Sequence, residues 1–273
     1  MERDGFMNNI VSFYENYDED SRLTSNNSRK IEFTITTTVL NKYIQEYNKI
    51  LELGAGTGIY SFYYADKGNY VIATDITPKH IDIINQKLSK RKNNVNLFGE
   101  IVNATDLSNY QSESFDVVLC LGPMYHLTNI SDREMCVMES LRVLKKGGML
   151  AVAYINKHFV LNSIMTADKK FLTNNFVNKI LNSGVVKEGE KECFWTDAFF
   201  TTPTEIETFI KKFNTEIVDN VGTDGLSPFL REFVDNMNEE EYSAWLHYSL
   251  NSCREKSILG MSNHGLLICK KKY

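Results

Sequence analysis

The chain is short of several things that would narrow its role quickly. It has five cysteines, Cys120, Cys136, Cys193, Cys253 and Cys269, and no two stand as C-x-x-C. An odd, unpaired set argues against a disulfide framework and a cysteine-built metal site, so no metal is expected and a reducing cytoplasm is the expected setting. No apolar run approaches the ~18 residues that a membrane-spanning helix needs. The stretch Met1 to Ile10 holds Glu2, Arg3 and Asp4 and has no apolar signal core. Basic residues are not in excess: the formal net charge is −5, which argues against a long nucleic-acid groove. Internal repeats and low-complexity linkers are also missing. What remains is 273 residues, 42% of them hydrophobic, enough to bury the core of one sizeable α/β domain.

From Lys49 onward, short apolar runs alternate with helical periodicity. Lys49 to Leu53, Tyr70 to Thr74, Val95 to Val102, Phe115 to Leu121 and Met149 to Ile155 read as strands, with Thr215 to Val221 and His264 to Cys269 as a sixth and a seventh. Thr77-Pro78 opens a helix. Ser131 and Glu134 have capping-box spacing, Thr202-Pro203-Thr204-Glu205 starts another helix, and Asn238 with Glu241 caps a third. Continuous apolar strands between helices predict a doubly wound, mostly parallel seven-stranded α/β sheet covered on both faces. Residues 1–48 read as an N-terminal helical arm. Residues 49–273 read as the main domain, with cap insertions near 156–200 and 222–263 over the carboxyl edge of the sheet.

The central motif is Glu52-Leu-Gly54-Ala-Gly56-Thr-Gly58, placed between a strand and a helix. Glycines let the backbone turn sharply and approach a ligand, and open α/β sheets bind ligands at this edge. The dinucleotide pattern G-x-G-x-x-G would put a glycine where Ile59 stands, which opposes a nicotinamide cofactor. Asp75 ends the second strand, where a carboxylate can accept both hydroxyls of a ribose or serve the helix that follows. Asn103-Ala-Thr105-Asp106-Leu107 follows the third strand. The fourth ends at Leu121-Gly122-Pro123, with Tyr125-His126 just beyond.

Together, ELGAGTG, Asp75, Asp106, FDVVLCLGPMYHL and LKKGGMLAVAYIN resemble the class I S-adenosylmethionine-dependent methyltransferases, best between Lys49 and Asn156. Tyr14-Glu-Asn-Tyr17-Asp-Glu-Asp-Ser-Arg22 and Ser262-Asn263-His264 extend the likeness toward a bacterial small-molecule subgroup with a Rossmann-like sheet. The resemblance implies S-adenosylmethionine as cofactor and S-adenosylhomocysteine as product. Gly54, Ala55 and Gly56 would meet the methionine portion, Asp75 the ribose, and Ile76, Thr105, Asp106 and Leu107 the adenine. Leu121 and Gly122 would line the region near the sulfonium. Glu52 would orient the loop or a cofactor amine through water. Tyr14, Tyr17 and Arg22 would close from the arm, with Arg22 on the cofactor carboxylate, or form a solvated surface.

Methyl transfer needs in-line positioning, and a base only if the acceptor keeps its proton until attack. His126 is the candidate base, or a histidine satisfied by a loop carbonyl. Tyr125 shapes the pocket or donates a hydrogen bond. Phe194, Trp195, Phe199, Phe200, Trp245 and Tyr248 wall an apolar acceptor site or pack the cap. The expected acceptor is a small molecule, with neither membrane nor nucleic acid as partner. The alternatives are a nucleic-acid methyltransferase, which often carries an N/D-P-P-Y/F-like loop where this chain has Leu121-Gly122-Pro123-Met124, and a cofactor-binding regulator without turnover.

Overall fold

The computed structural model describes residues 2–273, with side chains from residue 9 onward. The arm holds α1 (Glu2–Asn16) and α2 (Asn27–Leu40). Then come β1 (Lys49–Leu53), α3 (Ile59–Ala65), β2 (Tyr70–Asp75), α4 (Pro78–Ser89), β3 (Leu97–Ile101), β4 (Phe115–Cys120), α5 (Ile130–Val143) and β5 (Leu144–Asn156). The first insertion carries α6 (Lys157–Ala167), α7 (Asn174–Asn182), β6 (Val185–Val186) and β7 (Ala198–Thr201). The chain continues through α8 (Pro203–Ile210), β8 (Thr215–Gly222), α9 (Arg231–Asp235), α10 (Glu239–Ser252), α11 (Lys256–Leu259) and β9 (His264–Lys271).

Strands β3, β2, β1, β4 and β5 lie side by side in that order, all parallel. The antiparallel β9 fits between β5 and β8. These are the seven expected strands. Two more join them: β7 pairs with the last two residues of β5, Ile155 and Asn156, and β6 pairs with β7. Strand β4 leaves β5 at Val152, and β9 holds the other side as far as Ile155. The β6–β7 ribbon therefore takes the place β4 has vacated and carries the first insertion over the carboxyl edge of the sheet.

Alternate residues feed the two faces, as the period of a pleated strand requires. Ile50, Val71, Val117, Leu119, Ala151 and Ile268 pack with Ile31, Ile35 and Val39 of α2 and Ile84 of α4. Leu51, Ile72, Val118, Leu150, Val152 and Leu267 pack on the other face with Val137 of α5 and Ile206 and Ile210 of α8. A third cluster around Phe176, Ile180, Val186 and Phe200 is the insertion's own core, joined to the sheet at Ile155.

Capping boxes form at Thr202–Glu205 and at Asn238–Glu241, fixing the starts of α8 and α10. The Ser131–Glu134 box does not form. Helix α5 starts two residues earlier than that cap would set, with Asn129 as its N-cap and the Asn129 amide donating to Asp132 at 3.2 Å. That places Ser131 inside the first turn, where its hydroxyl cannot cap.

Strand β9 is tied to β5 by a glycine–aromatic pair. Gly265 stands opposite Tyr154, and a Cβ on Gly265 would overlap the Tyr154 ring. Tyr154 is 1% exposed, and its hydroxyl donates to Asn220 Oδ1 of β8 at 2.9 Å. Gly265→Ala must displace the ring and strain that bond, and is expected to cost ~1–3 kcal/mol by overpacking. Chemical denaturation of Gly265→Ala and of Gly265→Ala/Tyr154→Leu checks this. The single variant should be less stable than wild type, and the double variant should recover part of the loss. An unchanged single variant refutes the packing account.

Candidate active site

The strand order reverses direction between β1 and β4, and a cavity of about 630 Å³ opens there at the carboxyl ends of the strands. Such a crevice is where open α/β sheets bind ligands. Its floor is the loop after β1. Gly54 and Gly56 have φ of +65° and +55°, conformations that cost a side-chain-bearing residue energy. Space forbids a side chain at Gly54 as well: a Cβ there would lie 2.7 Å from Pro123 Cδ, so this loop and the one after β4 touch.

Asp75 holds the floor in shape. Its Oδ2 accepts from the Gly56 N–H at 2.8 Å, and its Oδ1 from the Thr77 N–H at 2.8 Å. One carboxylate thus joins the glycine loop to the first turn of α4. Each oxygen keeps a further lone pair toward the cavity. Beside it, Thr77 Oγ1 and both ring nitrogens of His80 are buried without a hydrogen bond. His80 Nδ1 is 3.2 Å from Asp75 Oδ1, a contact whose geometry is not that of a hydrogen bond. Buried orphan polar atoms are costly and call for a partner. Thr77, His80 and Asp75 all line the cavity, so a ligand carrying hydroxyl groups fits the need.

Glu52 lies under the same loop, 1% exposed and hydrogen-bonded to Ser61 Oγ. Burial, with the Asp75 charge adding to it, pushes its carboxyl up to about 8 against the opposing Ser61 hydrogen bond. It is therefore mostly protonated at neutral pH.

At the roof, His126 Nδ1 lies 3.0 Å from the Asp197 carbonyl oxygen and Nε2 lies 2.8 Å from the Tyr14 hydroxyl. A carbonyl only accepts, so Nδ1 carries the hydrogen. Burial pulls the imidazole down to about 4, against the pull of the Asp197 carbonyl and nearby carboxylates, so the ring is neutral and Nε2 has a free lone pair. Tyr14 therefore donates its hydroxyl hydrogen to His126. Its phenol is itself held well above the usual range, first by burial. Asn9 donates to Asp197 Oδ2 at 3.3 Å, and Lys79 Nζ to the Glu15 carbonyl at 2.6 Å, so α1 is fastened over the cavity from both sides.

Of the residues expected from sequence, Tyr14, Gly54, Gly56, Asp75, Ile76, Thr105, Asp106, Gly122, Tyr125 and His126 line this cavity. Six do not. Ala55 is spent on the loop's turn, donating to the Thr74 carbonyl at 2.8 Å. Glu52 is beneath the floor. Leu107 is fully buried in the core, its N–H donating to Glu139 at 3.0 Å. Leu121 packs against the core on the α2 side of the sheet. Tyr17 and Arg22 line a second cavity of about 440 Å³, and Arg22 is paired with Glu19 at 2.9 Å and Glu32 at 3.0 Å. The arm thus brings Tyr14 to the cavity without Arg22, which its own carboxylates hold.

Sequence reasoning missed Glu19, Thr77, His80, Asn103, Asp132 and Glu139 on the wall. Thr77 and His80 carried one signal: they open the helix directly after Asp75. Asn103 carried another, standing just after the third strand beside Thr105 and Asp106, and the remaining three reach the cavity only through the chain's long-range folding.

Residues 51–152 match the profile of the methyltransferase domain family. The ubiquinone biosynthesis O-methyltransferase of Xanthomonas oryzae pv. oryzae is 28% identical over 109 residues, 40% of this chain and 44% of that protein. The erythromycin 3''-O-methyltransferase of Saccharopolyspora erythraea is 30% identical over 114 residues, 41% of this chain and 36% of that protein. The chain thus spans less than half the length of these curated relatives. A SAM-dependent methyltransferase from Methanosarcina mazei superposes with a TM-score of 0.61 at 20% identity, covering 86% of this chain and 97% of that one. Residues 51–152 are thus similar to a methyltransferase domain, and the sheet that contains them has a Rossmann-like fold. No helix among the described residues is long and apolar enough to cross a membrane.

The Glu52 carboxyl gives a stability test with a definite sign. Its folded value is raised from 4.5 to about 8, so the stability it confers is full below the unfolded value and lost as pH rises through the folded one. Glu52→Gln removes the titrating group and leaves the amide oxygen to accept from Ser61. Thermal melts from pH 4.5 to 8.5 should show the variant gaining on wild type as pH rises. Parallel curves would mean that Glu52 titrates normally.

Proposed function

We propose that the protein transfers a methyl group from S-adenosylmethionine to an oxygen of a small-molecule acceptor. The observation that carries this reading is the group around Asp75. A carboxylate with spare lone pairs, an unsatisfied Thr77 hydroxyl and an unsatisfied His80 ring meet beside a glycine loop at the sheet's switch point. That donor set suits a ribose diol. Gly54, Gly56 and Gly122 would take the methionine portion. Ile76, Thr105 and Asp106 would border the adenine. Asp106 is exposed at the rim with Oδ1 accepting from Ser108 N at 3.1 Å, and its second oxygen would accept from the adenine amine. The two curated O-methyltransferase relatives favour oxygen as the acceptor atom.

When bound, S-adenosylmethionine would supply a methyl group on a sulfonium for an acceptor oxygen, the carbon–sulfur electron pair staying on sulfur and the acceptor's proton passing to bulk solvent after transfer. The protein's own part is placement and exclusion of water. His126, with its depressed pKa and both nitrogens engaged, is a poor proton acceptor. It serves instead to aim Tyr14, whose oxygen keeps lone pairs to accept a hydrogen bond from the incoming group. Tyr125 forms part of the wall beside it. The enclosing arm and cap favour a small molecule over a nucleic acid.

Titration calorimetry should show S-adenosylmethionine and S-adenosylhomocysteine binding and NAD not binding; the reverse pattern overturns the assignment. A metabolite extract incubated with isotopically labelled methyl donor should yield a labelled product, and ligand binding without any label transfer would favour a regulator. Asp75→Ala should weaken S-adenosylhomocysteine binding by about tenfold to several hundredfold. Because the same oxygens hold Gly56 and Thr77, it should also lower the melting temperature. A lower melting temperature at unchanged affinity would confine Asp75 to the loop–helix joint.

A further inference from the structure

The second cavity adjoins the first, and Tyr14, Glu19 and Tyr125 belong to the walls of both. Its apolar part is built by the cap. Phe171, Phe194, Trp195 and, from β7, Phe200 line it together with Phe159 and Ile164 of α6, and the Phe194 and Phe200 rings stack with centroids 5.8 Å apart. Such walls suit a flat apolar body.

Its polar wall holds Arg22, Arg29 and His264 beside two carboxylates, Glu19 and Asp168, and behind Arg22 lies Glu32. Arg22 is 3.0 Å from the Glu32 carboxylate, and His264 Nδ1 is 3.4 Å from Glu32 and 2.7 Å from Asp224. Burial opposes a charge on His264, but Glu32 and Asp224 overcome it and raise its pKa. Arg22 and His264 thus each have carboxylate partners in the chain. Arg29 is different. It lines the cavity half-buried, and among the described residues its guanidinium makes no hydrogen bond or ion pair. Glu32 feels its charge through space but is already engaged by Arg22. Arg29 also stands in the first turn of α2, a helix with no acidic residue there. A cation is electrostatically misplaced at that end of a helix dipole. Within the fold this charge acts on Glu32 only at a distance, and a bound anion would pair with it directly.

We propose that the second cavity holds the methyl acceptor, and that the acceptor is a hydroxyaryl carboxylate. Its ring lies against the cap aromatics, its hydroxyl meets the shared wall at Tyr14, and its carboxylate pairs with Arg29. This rests on the methyl-transfer reading and adds the substrate class to it. An Arg–carboxylate pair can be bidentate, which fixes the ring's direction and so which oxygen faces the first cavity.

The test is equilibrium binding to the full-length protein saturated with S-adenosylhomocysteine. The probes are 3-(4-hydroxyphenyl)propionate, its shorter and longer chain homologues, and the matching carboxamides. At least one carboxylate should bind, about ten- to hundredfold more tightly than its amide. Arg29→Gln should abolish that preference, and Arg29→Lys should keep part of it. The melting temperature of Arg29→Gln should stay at or above that of wild type. The inference is overturned if no carboxylate of the series binds, if acid and amide bind alike, or if Arg29→Gln leaves the preference intact. It is equally overturned if Arg29→Gln lowers the melting temperature and Arg29→Lys restores it without any carboxylate preference, because Arg29 would then be structural. If S-adenosylhomocysteine itself fails to bind, it is the methyl-transfer reading that falls.

Discussion

One carboxylate decides whether this sheet edge can be a site. A loop with three alternate glycines at positive φ, Gly54, Gly56 and Gly58, is entropically free in the unfolded chain and has little of its own to hold a single shape. Asp75 supplies the constraint by accepting from Gly56 on one side and Thr77 on the other. The loop after β1 and the start of α4 are then set relative to each other. The loop after β4 follows, because Gly54 presses against Pro123 and Gly122 against the Gly54 carbonyl. Three strand ends become one rigid surface through a side chain that still has lone pairs to offer. The structural work at this position therefore leaves acceptor capacity facing the cavity.

Desolvation sets the rest of the site's chemistry. The same burial acts in opposite directions on opposite charge types. It leaves Glu52 neutral by raising its pKa and His126 neutral by lowering it. The region around the glycine loop therefore holds fewer charges than its residue types suggest, with Asp75 as the anion facing the cavity floor. A cation bound there would favour the charged form of Glu52, because an opposite charge stabilises the ionised state of a nearby acid.

The seven main strands were legible because most are apolar runs closed by glycine, charge or a capping residue, while β3 and β8 keep enough apolar residues around internal charges to read as strands. Lys49–Leu53 emerged with its bounds intact, and β8 and β9 differ from expectation only at their carboxyl ends. Strands β6 and β7 were not legible. They are two and four residues long, too short to show a period, and β7 pairs only because β4 ends early beside β5. The site divides along the same physical line. Gly54, Gly56, Asp75, Gly122 and His126 were readable because turn geometry or strand-end position restricts them locally. Leu107 and Leu121 were misplaced because adjacency to a motif says nothing of which way a side chain turns. Glu19 and His80 were missed because their role comes from neighbours far away in sequence.

The two ends of the chain explain each other. Arg22 of the arm holds Glu32 of α2, and Glu32 faces His264 at the start of β9. Asp224, just after β8, accepts from Ser262 Oγ at 2.6 Å and from the His264 N–H at 3.1 Å, and also lies against the His264 ring. The YxxYDExxR-like arm and the Ser262-Asn263-His264 strand start are therefore two halves of one buried ion-pair cluster. Taking one member away would leave the others charged and buried, which is far more costly than the pairing is stabilising. That asymmetry gives a reason for both segments to occur together in one chain. It also fixes the arm at Arg22, between α1 and α2, while Tyr14 fastens it again at His126. Between those two points the arm forms the wall common to both cavities.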